Sequence, residues 1–423
     1  MKLKKTVIGM GLLMLVVAGL LRPAPSSAQL SSFGPIANSQ NQFALDLYQQ
    51  VRDDNQDNLI FSSYSIWQAL AMVYAGARGN TESQMMTTLH YDLPQNELHT
   101  TLGGMNAEIL SRGVAPDDAP EGEQPLLLNI ANGLWSQEGY ALNPDYVDIL
   151  NQAYGSEMFQ VDFANGPAEA IADEINGWIS DETEGKIEDV ISPDLLSEAT
   201  RLVLANAIYF KGSWLFQFNV EATEDAPFHL LDGSTVDVPM MSQTEDFGYA
   251  ITDTFVAVEL PYAGDTAAML VIMPLGDFAE FESGLTLESF DAIRLQAMVT
   301  RGEVDLTMPR FEFATEMSLP DTLKAMGMTD AFDPDVADFS GIANTDDGNL
   351  FISDVLHQAV IKVDENGTEA AAVTVVIVEV TAAPADEPVE ITLDRPFIYA
   401  IYDRATNAIL FMGRVTNPSG AGE

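Results

Sequence analysis

The chain holds four histidines, His90, His99, His229 and His357, and no cysteine, so a base working near neutral pH or a soft metal site has few residues to draw on. The histidines are scattered. No Gly-x-Ser-x-Gly elbow, His-Glu-x-x-His pair, Walker loop or Gly-x-Gly-x-x-Gly turn after a strand occurs. A triad of Ser340 or Ser353 with His357 is formally open, because triads are defined by geometry, but nothing in the spacing supports it. His357 sits between Val355-Leu356 and Ala359-Val360, which reads as a hydrogen-bonded core histidine. The pairs Asp117-Asp118 and Asp346-Asp347 read as solvated loop charges rather than a glycosidase pair or a cation site. These residues predict no enzyme, no metal and no cofactor.

The segment with unusual chemistry is residues 364–381, which has the composition of a strand. With the period of two of a strand, Thr368, Ala370, Ala372, Thr374, Val376 and Val378 point one way, and Glu369, Ala371, Val373, Val375, Ile377 and Glu379 the other. Both charges fall on one face. The charge-free face runs from small residues to valines, which suits a strand that enters a crowded sheet from one end. The next stretch, Ala382-Ala383-Pro384-Ala385-Asp386-Glu387-Pro388, cannot continue a central strand, because its prolines lack amide donors. An accessible run so rich in β-branched residues is an aggregation hazard that a protein keeps only for some gain. On segment chemistry alone, the plainer reading is an ordinary buried strand followed by a loop.

Residues 1–28 carry Lys2, Lys4 and Lys5, an apolar stretch from Val7 to Leu21, and small residues up to Ala28. This pattern predicts a secretory signal cut after Ala28 and a secreted product, extracellular or periplasmic. Cleavage removes four of the 18 basic residues and none of the 64 acidic ones, leaving a formal charge of about −50 on about 395 residues. That field repels nucleic acid, heparin-like polyanions and anionic membranes. Without cysteine an exported chain has no disulfides, so its stability must come from a large core.

The positioning elements follow from periodicity. Residues 42–52 and 65–76 place apolar side chains at helical spacing, and residues 81–89 open with a Thr cap. Residues 111–124 form an acidic loop. Strands are expected at 126–135, 200–210, 255–260, 268–274 and 303–313, with two more between Pro396 and Val415. Strand-rich pieces at both ends favour one interwoven domain over residues 29–423.

From about Gln42 to Pro418 several blocks, in order, resemble the serpin family. They include Asn58-Leu59-Ile60-Phe61-Ser62-Ser63-Tyr64-Ser65-Ile66, Ile175-Asn176-Gly177-Trp178, Thr183-Glu184-Gly185-Lys186-Ile187 and Leu204-Ala205-Asn206-Ala207-Ile208-Tyr209-Phe210-Lys211-Gly212-Ser213-Trp214. Val238-Pro239-Met240-Met241, Leu260-Pro261-Tyr262, Met308-Pro309-Arg310-Phe311, Asp338-Phe339-Ser340-Gly341 and Arg395-Pro396-Phe397 follow. The resemblance implies an α+β fold with several β-sheets, about eight or nine helices and an exposed reactive loop at about residues 365–390. It further implies a monomer, of bacterial origin on this reading, that traps a target serine protease covalently.

In that scheme the protease attacks the loop and forms an acyl-enzyme, and the cut loop inserts into the main sheet. Glu365, Gly367, Thr368, Glu369, Ala370, Ala371 and Ala372 match the hinge in its inhibitory form. Family spacing from Glu365 places the attacked bond at Thr381-Ala382, with Val380, Ala382 or Ala383 as alternative scissile residues, since the tether to Arg395 is longer than in many relatives. No Arg or Lys lies between Ile377 and Thr392, so elastase-like or subtilisin-like proteases are expected, with papain-like cysteine proteases second. Ser62, Ser65, Asn206 and His357 match the polar cluster beneath the opening sheet, and Trp214 the aromatic where the loop first enters. For the four polar residues the alternative is a static core network, and for Trp214 a plain core tryptophan. Ser63-Tyr64 departs from the family's proline-containing dipeptide, which bears on where the local helix starts. Asn366-Gly367-Thr368 is a glycosylation sequon expected to stay unmodified, because a glycan there would obstruct insertion. The other function reading is a non-inhibitory serpin that is cleaved as a substrate or serves as a binding protein.

Overall fold

Amphipathic spacing in the first third produces helices Gly34–Asp54, Ser63–Tyr74 and Gly79–Thr88. In the computed structural model the described residues are 33–54, 57–112, 126–156, 158–183, 185, 189–344, 349–368 and 387–419. The expected signal segment, the core of the acidic loop, hinge residues Glu369, Ala370, Ala371 and Ala372, and the bond Thr381-Ala382 lie outside them. Nine α-helices occur among the described residues, with a nine-stranded, a six-stranded and a two-stranded sheet. This is the serpin-like α+β architecture.

Helix Ser63–Tyr74 is buried along its whole length and forms the spine behind the sheets. Ser62 caps it from an extended backbone, its hydroxyl accepting the Ser65 amide, so the helix starts cleanly without a proline. Two expectations are corrected. The third helix starts at Gly79, and the Thr81 hydroxyl accepts the Asp338 amide across the fold instead of capping its own helix. The run at 303–313 is two strands, Arg301–Pro309 and Phe311–Ser318, in different sheets. Pro309 removes an amide donor, and the chain changes sheet at Arg310. Helix Gln95–Leu110 was not expected, because Gly103 and Gly104 interrupt its pattern. A Cβ at Gly103 would lie 2.9 Å from the Ala153 carbonyl oxygen, so close helix contact, not helix propensity, selects that glycine.

The six-stranded sheet positions the site. Its order is Phe311–Ser318, Asp354–Asp364, Gly367–Thr368, Leu202–Ser213, Leu127–Gln137, Met158–Val161. Strands Asp354–Asp364 and Leu202–Ser213 also pair with each other in parallel, from Asp354↔Val203 to Gln358↔Ala207. Beyond Gln358 that pairing stops. At the far end Gly367–Thr368 lies between them, antiparallel to both, with Thr368 opposite Val363 on one side and Gly212 on the other. The offset is the same at both ends: His357 faces Asn206, and Val363 and Gly212 share Thr368, each pair 151 positions apart. The two strands diverge by one strand's width without changing register. Helix Ala168–Glu182 lies across this region with Ile171, Ile175 and Ile179 buried. Their cluster includes Val203 and Ala205 from one strand and Leu356 from the other.

Candidate functional site

The mouth of the sheet is built around the turn from Asp364 to Gly367. Strand Asp354–Asp364 ends there because Asn366 turns the chain, its amide donating to Asp364 Oδ1 at 2.8 Å. Gly367 then enters between the strands so closely that a Cβ would sit 2.1 Å from the Gly212 carbonyl oxygen. Only glycine fits that approach. Trp214 holds the turn from below. Its indole Nε1–H donates to the Asp364 carbonyl at 3.0 Å and its amide to that of Asn366 at 2.8 Å. The indole stacks on Tyr262 with centroids 4.7 Å apart, and the Tyr262 hydroxyl lies 2.7 Å from Thr368 Oγ1.

Glu365 is 2 % exposed, a carboxylate that burial alone would push toward neutrality. Hydrogen bonds from the Thr223 hydroxyl and the Arg310 guanidinium, with the Arg310 charge, outweigh the burial and hold it below its ordinary range. Arg310 donates through Nε at 2.6 Å and through Nη2, and the Phe218 amide donates to the Glu365 carbonyl at 2.9 Å. Arg310 is the residue at which the chain changes sheet. That crossover is what brings it to the hinge.

At the closed end, the row Asn132, Asn206, His357 runs straight across three strands. The Ser62 amide donates to His357 Nε2 at 3.0 Å, which leaves the proton on Nδ1 to donate to Asn206 Oδ1 at 2.6 Å. Asn206 Nδ2 donates onward to the Ser65 hydroxyl and to Asn132 Oδ1. Ser62 Oγ donates to the Leu410 carbonyl at 2.7 Å. Burial lowers His357 to about 3, so the ring is neutral and bonded on both nitrogens. Ser62, Ser65, Asn206 and His357 therefore form one connected network. Trp214 belongs to the mouth, in register with the other end of the gap.

No triad forms. Ser353 Oγ accepts the Arg201 amide, and Ser340 is exposed and bonded to Asp338. Among the described residues no group of three or more His, Asp or Glu could hold a metal ion, and no helix is long and apolar enough to cross a membrane. The sequence reading missed Thr223, Phe218 and Asn132. It quoted Arg310 and Tyr262 only within motif blocks, without roles. A buried acid at Glu365 implies a cationic partner, but the sequence holds eleven arginines.

A sequence model described as Serpin (serine protease inhibitor) matches residues 38–418. The chain belongs to the serpin family. This serpin is 43 % identical over 386 residues to an uncharacterised serpin-like protein of Thermococcus kodakarensis, covering 91 % of this chain and 86 % of the relative. It is 36 % identical over 389 residues to the leukocyte elastase inhibitor of Bos taurus, covering 90 % and 99 %. These two relatives come from an archaeon and an animal. The native-state crystal structure of the thermophilic serpin tengpin superposes with a TM-score of 0.79 at 29 % identity, covering 90 % of this chain and 94 % of tengpin.

Proposed function

We propose that this serpin is a secreted suicide inhibitor of serine endopeptidases. The observation that carries the reading is the position of Gly367–Thr368, hydrogen-bonded between the two strands in a register that an inserting segment can continue. In the inserted state the same register would run Ala370 between Ile361 and Phe210, Ala372 between Ala359 and Ile208, and Thr374 between His357 and Asn206. Thr374 then supplies a hydroxyl where the closed sheet has the His357–Asn206 bond, and Val376 follows between Val355 and Leu204. Thr368 is buried, so on insertion the same parity would bury Ala370, Ala372, Thr374, Val376 and Val378, the charge-free face.

The driving force is adequate. Roughly ten backbone hydrogen bonds at about 1 kcal/mol each, with two valines at about 1.5 to 3 kcal/mol each, exceed about 10 kcal/mol, comparable with the stability of a whole protease domain. The acyl-enzyme forms at Thr381-Ala382, and small or aliphatic specificity pockets are favoured by the lack of Arg and Lys there. Residues 1–28 direct export. The product acts as a monomer without cofactor.

The test is incubation of the mature protein with pancreatic elastase or subtilisin, followed by denaturing gels and mass spectrometry of the released C-terminal peptide. A band at the summed mass is expected, with Ala382 the first residue of the peptide. Clean cleavage without that band across several serine proteases sinks the inhibitor reading.

A further inference from the structure

A groove of about 670 Å³ opens between the chain at Phe255 and Leu275 and the helices Phe278–Ser283 and Leu287–Val299. Its floor is apolar: Phe255, Phe281, Leu285 and Ile293. The two phenylalanine rings stand 6.0 Å apart at 56°, presenting both an edge and a face. Every charged residue in the lining is a carboxylate, namely Asp253, Asp277 and Glu280. Asp277 is occupied as the helix cap, accepting the Glu280 amide at 2.7 Å, whereas Asp253 and Glu280 are exposed residues.

We propose that this groove binds a small lipophilic cation, an aromatic ring or short alkyl chain bearing one ammonium group. The volume is that of a small-molecule site. The floor takes the apolar body, and the aromatic faces and rim carboxylates favour an ammonium that stays in contact with water. The same rim repels a carboxylate or sulfonate of equal size. Asp253 and Glu280 set the sign of the charge, and the phenylalanines set the apolar part. The site shares no residue with the loop hinge or the Asn206–His357 row, so its occupancy is a separate activity from protease trapping.

The probe pair is 1-naphthylmethylammonium and 1-naphthylacetate, titrated calorimetrically into the mature protein at two salt concentrations. Saturable 1:1 binding of the cation is expected, with the anion at least about tenfold weaker. Ala292→Trp places a bulky side chain into the groove from an exposed helix position and is expected to abolish the cation's binding while circular dichroism stays unchanged. The double variant Asp253→Asn/Glu280→Gln is expected to weaken it about tenfold and flatten its salt dependence. Equal binding of both probes, or an unaltered titration with Ala292→Trp, overturns the assignment. A salt-sensitive but unsaturable signal indifferent to the double variant overturns it too, because the overall negative field then accounts for the signal.

Discussion

The Tyr262 hydroxyl and Thr368 Oγ1 lie 2.7 Å apart, tying the chain at the start of the loop to a core residue beneath the mouth of the sheet. Both residues are buried, so neither can exchange this bond for water. Tyr262→Phe is expected to leave the Thr368 hydroxyl without its partner and to lower stability by about 1 kcal/mol. Denaturant midpoints at fixed m-value measure it, and an unchanged midpoint means the bond adds nothing to folding.

Parity offers a sharper test of insertion. By strand alternation, Ala372 shares the charge-free face that the proposed insertion would bury, and Ala371 the opposite face. On the proposed mechanism Ala372→Arg is expected to leave a protein that is cleaved without trapping the protease, because an unpaired guanidinium cannot enter the sheet interior. Ala371→Arg is expected to retain the SDS-stable complex. Equivalent behaviour of the two variants on gels contradicts the register.

Gly367→Ala puts a methyl against the Gly212 carbonyl, 2.1 Å from its oxygen. Backbone cannot yield cheaply there, so residues 367 and 368 are expected to leave the gap. The predicted loss is about 2 kcal/mol, with faster hydrogen exchange at amides 212–213 and 363–368. Wild-type exchange rates in this variant argue that the approach is looser than the geometry requires.

Acid acts through two buried histidines. Burial lowers His357 to about 3 and His99 to about 4, with the Arg78 charge adding to the effect at His99. The unfolded chain binds these protons near pH 6.5 and the folded chain does not, so protonation favours unfolding. Their contribution is complete above pH 6.5 and is lost as pH falls toward each folded value. Between pH 6 and 4.5 each adds a slope of about 1.4 kcal/mol per pH unit. Urea midpoints across that range measure the slope. His99→Gln is expected to reduce it by one proton's worth, whereas an unchanged slope assigns the acid sensitivity to carboxylates.

Much of this serpin was legible in the residues. Alternation across residues 368–378 separated a charge-free face from a charged one, since strand parity is a local property of the backbone. The apolar runs of the central strands were readable for the same reason, whereas the spine helix begins at Ser63, two residues before the expected start, because Ser62 caps it. Ser62, Ser65, Asn206 and His357 were grouped by family resemblance, and the fold joins them through hydrogen bonds between residues up to 295 positions apart.

Other features depend on tertiary structure. Arg310 was legible only as part of a motif, because its role arises where Pro309 ends one strand and the chain crosses to another sheet. Asn132 gains meaning from its register opposite Asn206. Gly103 looks like a helix breaker until Ala153 is set against it. Sequence fixes what each residue can donate, accept or bury, and periodicity fixes which face it occupies. The pairing of Asp354–Asp364 with Leu202–Ser213 at one end, and their divergence by one strand at the other, is a long-range choice. It goes with the packing of Leu202–Ser213 on the buried helix Ser63–Tyr74 and of Val203, Ala205 and Leu356 against helix Ala168–Glu182, contacts that no local pattern encodes.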